Sequence, residues 1–296
     1  MKPLRLLVCA GWMVAVSAQG APEGASTNGE IRLLDDFSAV GRLGFFSNHD
    51  DEFQEDRYVS EGTVLLDFDL LSVGERWSLW SRFGLVVDLG KSVADNLPFS
   101  PKEMAYEFSP FVEYRRSAYL ARFGWNHVCQ HLIYKDHEEP WYVTAGSNAV
   151  PPDVYWNRIS LGAGRAEVRP EVFRETTFGA APPRLLWYAE IGGYLQSFPG
   201  MDDDSLYGHN DWVADAKADL KLRLLAGGKW ALFANSLTHG LLDGEDEFYV
   251  REQLQLEMAF ASRGYGSSIY AGWHVVDEHP RDSKEDMLEF GAAFYY

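Results

Sequence analysis

The sequence is short of cysteine, short of positive charge, and without a long apolar run beyond its N-terminal segment, and each shortage narrows the field. Cys9 and Cys129 are its two cysteines. Cys9 falls inside the apolar run Leu6 to Val16, which follows Lys2 and Arg5 and leads to the small-residue site Val16-Ser17-Ala18. That pattern reads as a secretory signal peptide over residues 1–18, with residues 19–296 as the exported chain. Cys9 lies within the run and not after it, which disfavours a lipoprotein anchor. Export leaves Cys129 alone, so a disulfide scaffold within the chain is excluded, and the thiol is either reactive or a small apolar filler.

The charge shortage is one-sided: 26 Lys and Arg stand against 44 Asp and Glu, a formal charge of -18. Removing residues 1–18, which hold two basic residues and no acid, takes it from -18 to -20. Such a chain has no electrostatic basis for binding nucleic acid. Past the signal, charges interrupt every stretch that could approach the roughly 20 apolar residues of a spanning helix.

Aromatic residues and strict alternation are abundant. Aromatics make up 15% of the chain, with 10 Trp and 15 Tyr. About twelve segments between Ser38 and Tyr296 alternate apolar and polar side chains at the two-residue strand period. Arg251, Gln253, Gln255 and Glu257 face away from Leu254, Leu256, Met258 and Phe260; Asp215, Lys217, Asp219 and Lys221 face away from Trp212, Ala214, Ala216, Ala218, Leu220 and Leu222. A soluble sandwich also alternates. The export signal, the even strand count, and connections that are alternately long and acidic or short favour a transmembrane barrel, its apolar side chains outward to lipid. The expected fold is therefore all-β: an antiparallel up-and-down barrel of about twelve strands in one unit, in the bacterial outer membrane. The last strand, with Leu288, Phe290, Ala292, Phe294 and Tyr296 on one face, resembles the C-terminal strand of outer-membrane barrels. The Val168 to Pro183 connection is longer than a periplasmic turn should be.

The lumen expected from this pattern carries Asp67, Asp69, Arg82, Glu107, Glu113, Arg122, Arg158, Glu190, Asp215, Lys217, Lys221, Arg251 and Glu257. Mixed signs at that density point to a salt-bridged filling, not an open channel.

One pair of segments breaks the outward apolar pattern. Tyr119, Ala121, Phe123, Trp125, His127 and Cys129 share a face, as do Tyr155, Asn157, Ile159, Leu161 and Ala163. A thiol, an imidazole and a carboxamide thus sit among lipid-facing side chains, where polar groups are costly. If the two strands pair, the three groups meet near the outer rim. The set suits nucleophilic attack on an ester: a thiol, a base to take its proton, and an amide to hold the base's tautomer.

Asn126-His127-Val128-Cys129 and Trp156-Asn157-Arg158 resemble the motifs Asn-His-x-Ser-Asn-Gly and Trp-Asn-Arg of the outer-membrane phospholipase A family. The resemblance implies a twelve-stranded barrel that hydrolyses glycerophospholipid acyl esters at its lipid-facing wall. It carries the general base onto His127, the orienting amide onto Asn157 and the nucleophile onto Cys129, which stands where the family has Ser. It also implies calcium as cofactor, outer-membrane phospholipid as substrate and a homodimer as the active form. Gln130-His131 replaces the family's Asn-Gly. The backbone amide of Cys129 is a candidate oxyanion donor. The connection to Asn157 holds Lys135, Asp136, His137, Glu138, Glu139 and Pro140, whose acids could meet calcium, but acidic stretches like this one and Asp202-Asp203-Asp204 are more often plain solvated surface. His131 and Ser147 are peripheral candidates. The alternative is a non-catalytic structural or narrow-pore barrel; a weaker one is an adhesive or assembly barrel working through its acidic loops.

Overall fold

The alternation closes on itself. In the computed structural model, which describes residues 30–34, 36–49, 52–91, 100–132, 153–165, 184–195, 208–209, 212–244, 246–262, 265–279 and 283–296, every long strand is antiparallel to its neighbours. The strands are β1 (Ile31–Arg32), β2 (Phe37–Ser47), β3 (Ser60–Val73), β4 (Trp77–Gly90), β5 (Ser100–Arg116), β6 (Tyr119–Leu132) and β7 (Asp153–Gly164). They continue with β8 (Leu185–Leu195), β9 (Gly208–His209), β10 (Trp212–Ala226), β11 (Trp230–Asp243), β12 (Phe248–Ser262), β13 (Tyr265–Asp277) and β14 (Leu288–Tyr295). Pairing runs β3-β2-β14-β13-β12-β11-β10-β8-β7-β6-β5-β4, and β4 returns to β3. The ring contains twelve long strands, as the periodicity anticipates; β1 pairs with β3, and β9 runs parallel to β7. These two short strands, and a short helix α1 (Glu52–Arg57) in the β2–β3 connection, leave no periodic trace in the sequence. The signal segment, the Val168 to Pro183 connection, the acids between Lys135 and Pro140, Ser147 and Asp202 to Asp204 lie outside the described residues.

Closure satisfies the backbone without an edge, the condition for a sheet to cross a bilayer. The outer wall is apolar: Phe123, Leu161, Ile191, Leu256, Ile269 and Phe294 are all exposed. At one end the β3–β4, β5–β6 and β10–β11 hairpins are tight, while the chain between β7 and β8 is long. Gly74 takes a positive φ of 61° in the β3–β4 turn, a conformation that costs glycine little. At the other end the connections are long, and these face outside by the usual orientation of such barrels.

Inside, the lumen is layered. At the tight-turn end Leu186, Ala231, Phe233, Ala259 and Ala261 form an apolar plug against Tyr295. Above it the inward charges pair: Lys221 with Glu257 at 2.5 Å, Arg82 with Asp67 at 2.7 Å, and Arg122 with Glu113 at 2.9 Å. Glu113 is 0% exposed and also takes Arg115 at 2.5 Å. Higher still, Arg42 forks onto both carboxylate oxygens of Glu289 at 2.8 and 2.9 Å. Near the long loops, α1 brings Arg57 onto Glu103, while Phe46, Tyr58 and Met287 pack together. Between these caps lies a cavity of about 490 Å³ lined by residues including Trp156, Arg158, Tyr194, His239 and His274. The expected ion pairing therefore runs the length of the lumen, from Arg122 and Glu113 near the turns to Arg251 with Asp277 and Lys284 with Glu61 near the loops, and the loop half also holds the cavity.

The outward face of β12 tests the wall assignment. Leu256, at the middle of that strand and 54% exposed, should tolerate arginine poorly: Leu256→Arg is expected to cost about 2–4 kcal/mol, read as a lowered urea midpoint for folding into phospholipid vesicles.

Candidate functional site

The β6–β7 register places His127 directly opposite Asn157, Trp125 opposite Ile159 and Cys129 opposite Tyr155. Ile159 and Leu161 are exposed on the outer wall, so the odd-numbered positions of both strands face outward. Imidazole, thiol and carboxamide meet there. His127 Nδ1 lies 3.0 Å from Asn157 Oδ1, and His127 Nε2 lies 3.0 Å from Cys129 Sγ. An amide oxygen only accepts, so it holds the hydrogen on Nδ1 and leaves Nε2 as the acceptor facing the thiol. That is the tautomer a general base requires.

The ring is wedged. Trp125 lies nearly parallel to it at 5.9 Å between centroids, and Tyr155 stands 6.4 Å away on the other side. Phe108 of β5 braces Trp125 edge-on at 6.1 Å. Asn157 is only 2% exposed although it points outward, because His127 on β6 and Leu195 on β8 flank it in register. Cys129 is half-buried, between Tyr106 on β5 and Tyr155 on β7.

A second set of contacts lies behind the site, on the lumen side. Asn126 and Arg158 are the inward neighbours of His127 and Asn157, and they face each other in the same ladder. Arg158 Nη1 donates to Asn126 Oδ1 at 3.1 Å and to Glu190 at 2.5 Å, while its Nε donates to Asp215 at 2.7 Å. Asn126 in turn donates to Ser109 Oγ at 2.8 Å. One guanidinium thus ties β6, β7, β8 and β10 together at the level of the outward cluster. Gly192 makes this reach possible: a Cβ at that position of β8 would collide with the Arg158 guanidinium and the Asp215 carboxylate. The motif tripeptides contain Asn126 and Arg158, but spacing alone does not reveal Glu190 and Asp215 as their partners. Nor does it point to Tyr106 and Phe108, which come from β5.

One sequence expectation changes. Cys129 is paired on both sides, so its backbone amide lies in the plane of the sheet and does not point to an acyl oxygen over the wall. The oxyanion donor must come from elsewhere. For calcium, no three of His, Cys, Asp and Glu converge on a cation site among the described residues. His131 packs its ring edge-on against Tyr106 at 5.9 Å, beyond the cluster.

No protein family matches the sequence, and no curated protein does. Solved structures are similar in fold. An outer membrane channel from Pseudomonas putida F1 is 10% identical with a TM-score of 0.50, over 94% of this chain and 99% of that one. The outer membrane phospholipase dimer with bound calcium from Salmonella typhi is 11% identical at a TM-score of 0.44, over 88% of this chain and 90% of that one. The KdgM porin is 6% identical at 0.44, over 88% and 98%. With its edges closed and its outer wall apolar, the chain is a bacterial outer-membrane β-barrel.

Proposed function

We propose that the outward Cys129, His127 and Asn157 cluster is an acyl-transfer site, a phospholipase A-like centre that cleaves glycerophospholipid acyl esters delivered laterally from the outer leaflet. The observation that carries this reading is the unbroken relay from Asn157 Oδ1 through the imidazole to Cys129 Sγ, 3.0 Å at each step, on a surface where such groups have no structural need. His127 takes the thiol proton, the sulfur attacks the ester carbonyl, and the imidazolium returns the proton to the leaving glycerol oxygen. Asn157 holds the ring. Signal-directed export, read from residues 1–18, belongs to this proposal, and calcium and a homodimer join it through the resemblance. No step is routed through calcium, since the described residues offer it no ligand set.

The second reading, a narrow-pore or structural barrel, draws on the lumen cavity of about 490 Å³. The apolar plug at the turn end opposes it. In planar bilayers the protein should give no stable conductance steps; regular steps would favour the pore.

Lysophospholipid formation by the purified protein in mixed micelles tests the ester-cleaving reading. Cys129→Ala should abolish it, and His127→Ala should lower it by at least about a hundredfold, while Cys129→Ser should keep it. If parent and Ser variant are both inert with the barrel folded, the reading fails. The clasp behind the site gives an independent check. Arg158→Lys keeps the charge but loses the fork that spans Asn126, Glu190 and Asp215, so kcat should fall by about ten- to a hundredfold with KM little changed and the folded barrel retained.

A further inference from the structure

The reading above leaves open where the acyl group goes, and sulfur in place of oxygen bears on that. We propose that the acyl chain taken up by Cys129 is passed to a primary amine in the membrane, making the barrel an N-acyltransferase; this rests on the acyl-transfer reading of the same site.

The first half-reaction is uphill in one specific respect. The tetrahedral intermediate can expel either sulfur or the glycerol oxygen. A thiol is far more acidic than an alcohol, so a thiolate leaves far more readily than an alkoxide. Forward collapse therefore requires a proton on the glycerol oxygen as the C–O bond breaks. His127 Nε2 is placed for this, 3.0 Å from the sulfur, with Asn157 keeping it in line. The products are a Cys129 thioester and a lysophospholipid. Formation of the C–S bond and cleavage of the C–O bond balance, and the proton has moved from thiol to alcohol.

In the second half-reaction the leaving-group order works in the forward direction. An amine nitrogen attacks the thioester carbonyl, the C–N bond forms, the C–S bond breaks, and the amine's surplus proton passes through His127 to the departing sulfur. The products are an amide and the free thiol. The amide is the more stable acyl compound, so the step runs downhill. An acyl-serine would also be higher in energy than the amide, but its alkoxide leaves less readily than a thiolate, so its bias towards nitrogen is weaker.

The surroundings select the same acceptor. Cys129 is half-buried between Tyr106 and Tyr155 on a wall continued by Phe108, Trp125, Phe123 and Leu161, so the nucleophile that reaches it arrives with the lipid. A low-dielectric wall favours the neutral, attacking form of an amine over its ammonium.

Two micelle preparations with identical acyl chains test this, one with ethanolamine headgroups and one with choline headgroups, which lack an N–H. With ethanolamine lipid the full-length protein should turn over, giving lysophospholipid and an N-acylated lipid in excess of free fatty acid. With choline lipid it should stop after a stoichiometric burst, leaving an acyl adduct on the protein that hydroxylamine removes. Cys129→Ser should erase the headgroup difference and release free fatty acid from both. Continuous release of free fatty acid by the parent protein at the same rate from both headgroups would overturn the acceptor assignment while leaving the ester-cleaving reading intact. Absence of lysophospholipid from both lipids, for parent and Ser variant alike, would remove both.

Discussion

Everything placed on the outer wall depends on how the inner wall is locked. In a β-strand, adjacent residues point to opposite faces, so Asn126 and His127 cannot be positioned separately, nor can Asn157 and Arg158. A slip of β7 by one residue against β6 would reverse its facing: the Arg158 guanidinium would enter lipid, and Asn157 would turn into the lumen, away from His127. The Arg158 fork, engaged with Asn126, Glu190 and Asp215, resists that slip most strongly, because all its partners are inward groups on neighbouring strands. An unpaired guanidinium buried there would cost several kcal/mol. The energetic penalty is on one side of the sheet and its geometric consequence is on the other.

The same logic orders the rest of the lumen. Twelve strands enclose more volume than their inward side chains can fill with hydrocarbon alone, and the sequence fills it in layers. At the turn end an apolar cluster and charge pairs share the space, and the pairs continue upward: Glu113 is met by Arg122 and Arg115, Glu257 by Lys221 and Glu289 by Arg42. Such pairs add little net stability over an apolar filling, but they are costly to misplace, and so they specify register. Packing relaxes only in the loop half, where the cavity opens next to Arg158 and Trp156. The site's supporting strands are thus backed by a dense layer below and a wetter one above.

Much of the barrel was legible because its signal is repeated. Residues such as Leu254 and Gln255 repeat the same two-way choice along every strand, and the number of strands that alternation anticipates is the number in the closed ring. What escaped notice was local and aperiodic: α1, whose Arg57 reaches Glu103, and the two-residue pairings of β1 and β9. At the site, the facing of His127, Cys129 and Asn157 followed from parity, and their adjacency followed from pairing consecutive strands. The contributions of Tyr106 and Phe108 did not, since they depend on the β5–β6 register, which no motif marks. The Cys129 amide was misjudged for a related reason: a candidate donor chosen residue by residue ignores that a strand paired on both flanks keeps its amides in the sheet.

A polar cluster on a lipid-facing wall has to be accounted for energetically. Among the outward neighbours, Phe123, Ile159 and Leu161 gain from lipid contact, whereas an imidazole and a carboxamide at the same positions lose hydration. Part of that loss is offset internally: Asn157 gives its oxygen to His127, and Trp125 and Tyr155 cover the ring faces. Any small polar pair could have satisfied itself this way. A thiol added at the far nitrogen contributes almost nothing to that balance, since S–H is a weak donor. Its position 3.0 Å from Nε2 is what the proposed proton transfer needs, and its seat between Tyr106 and Tyr155 supplies the packing.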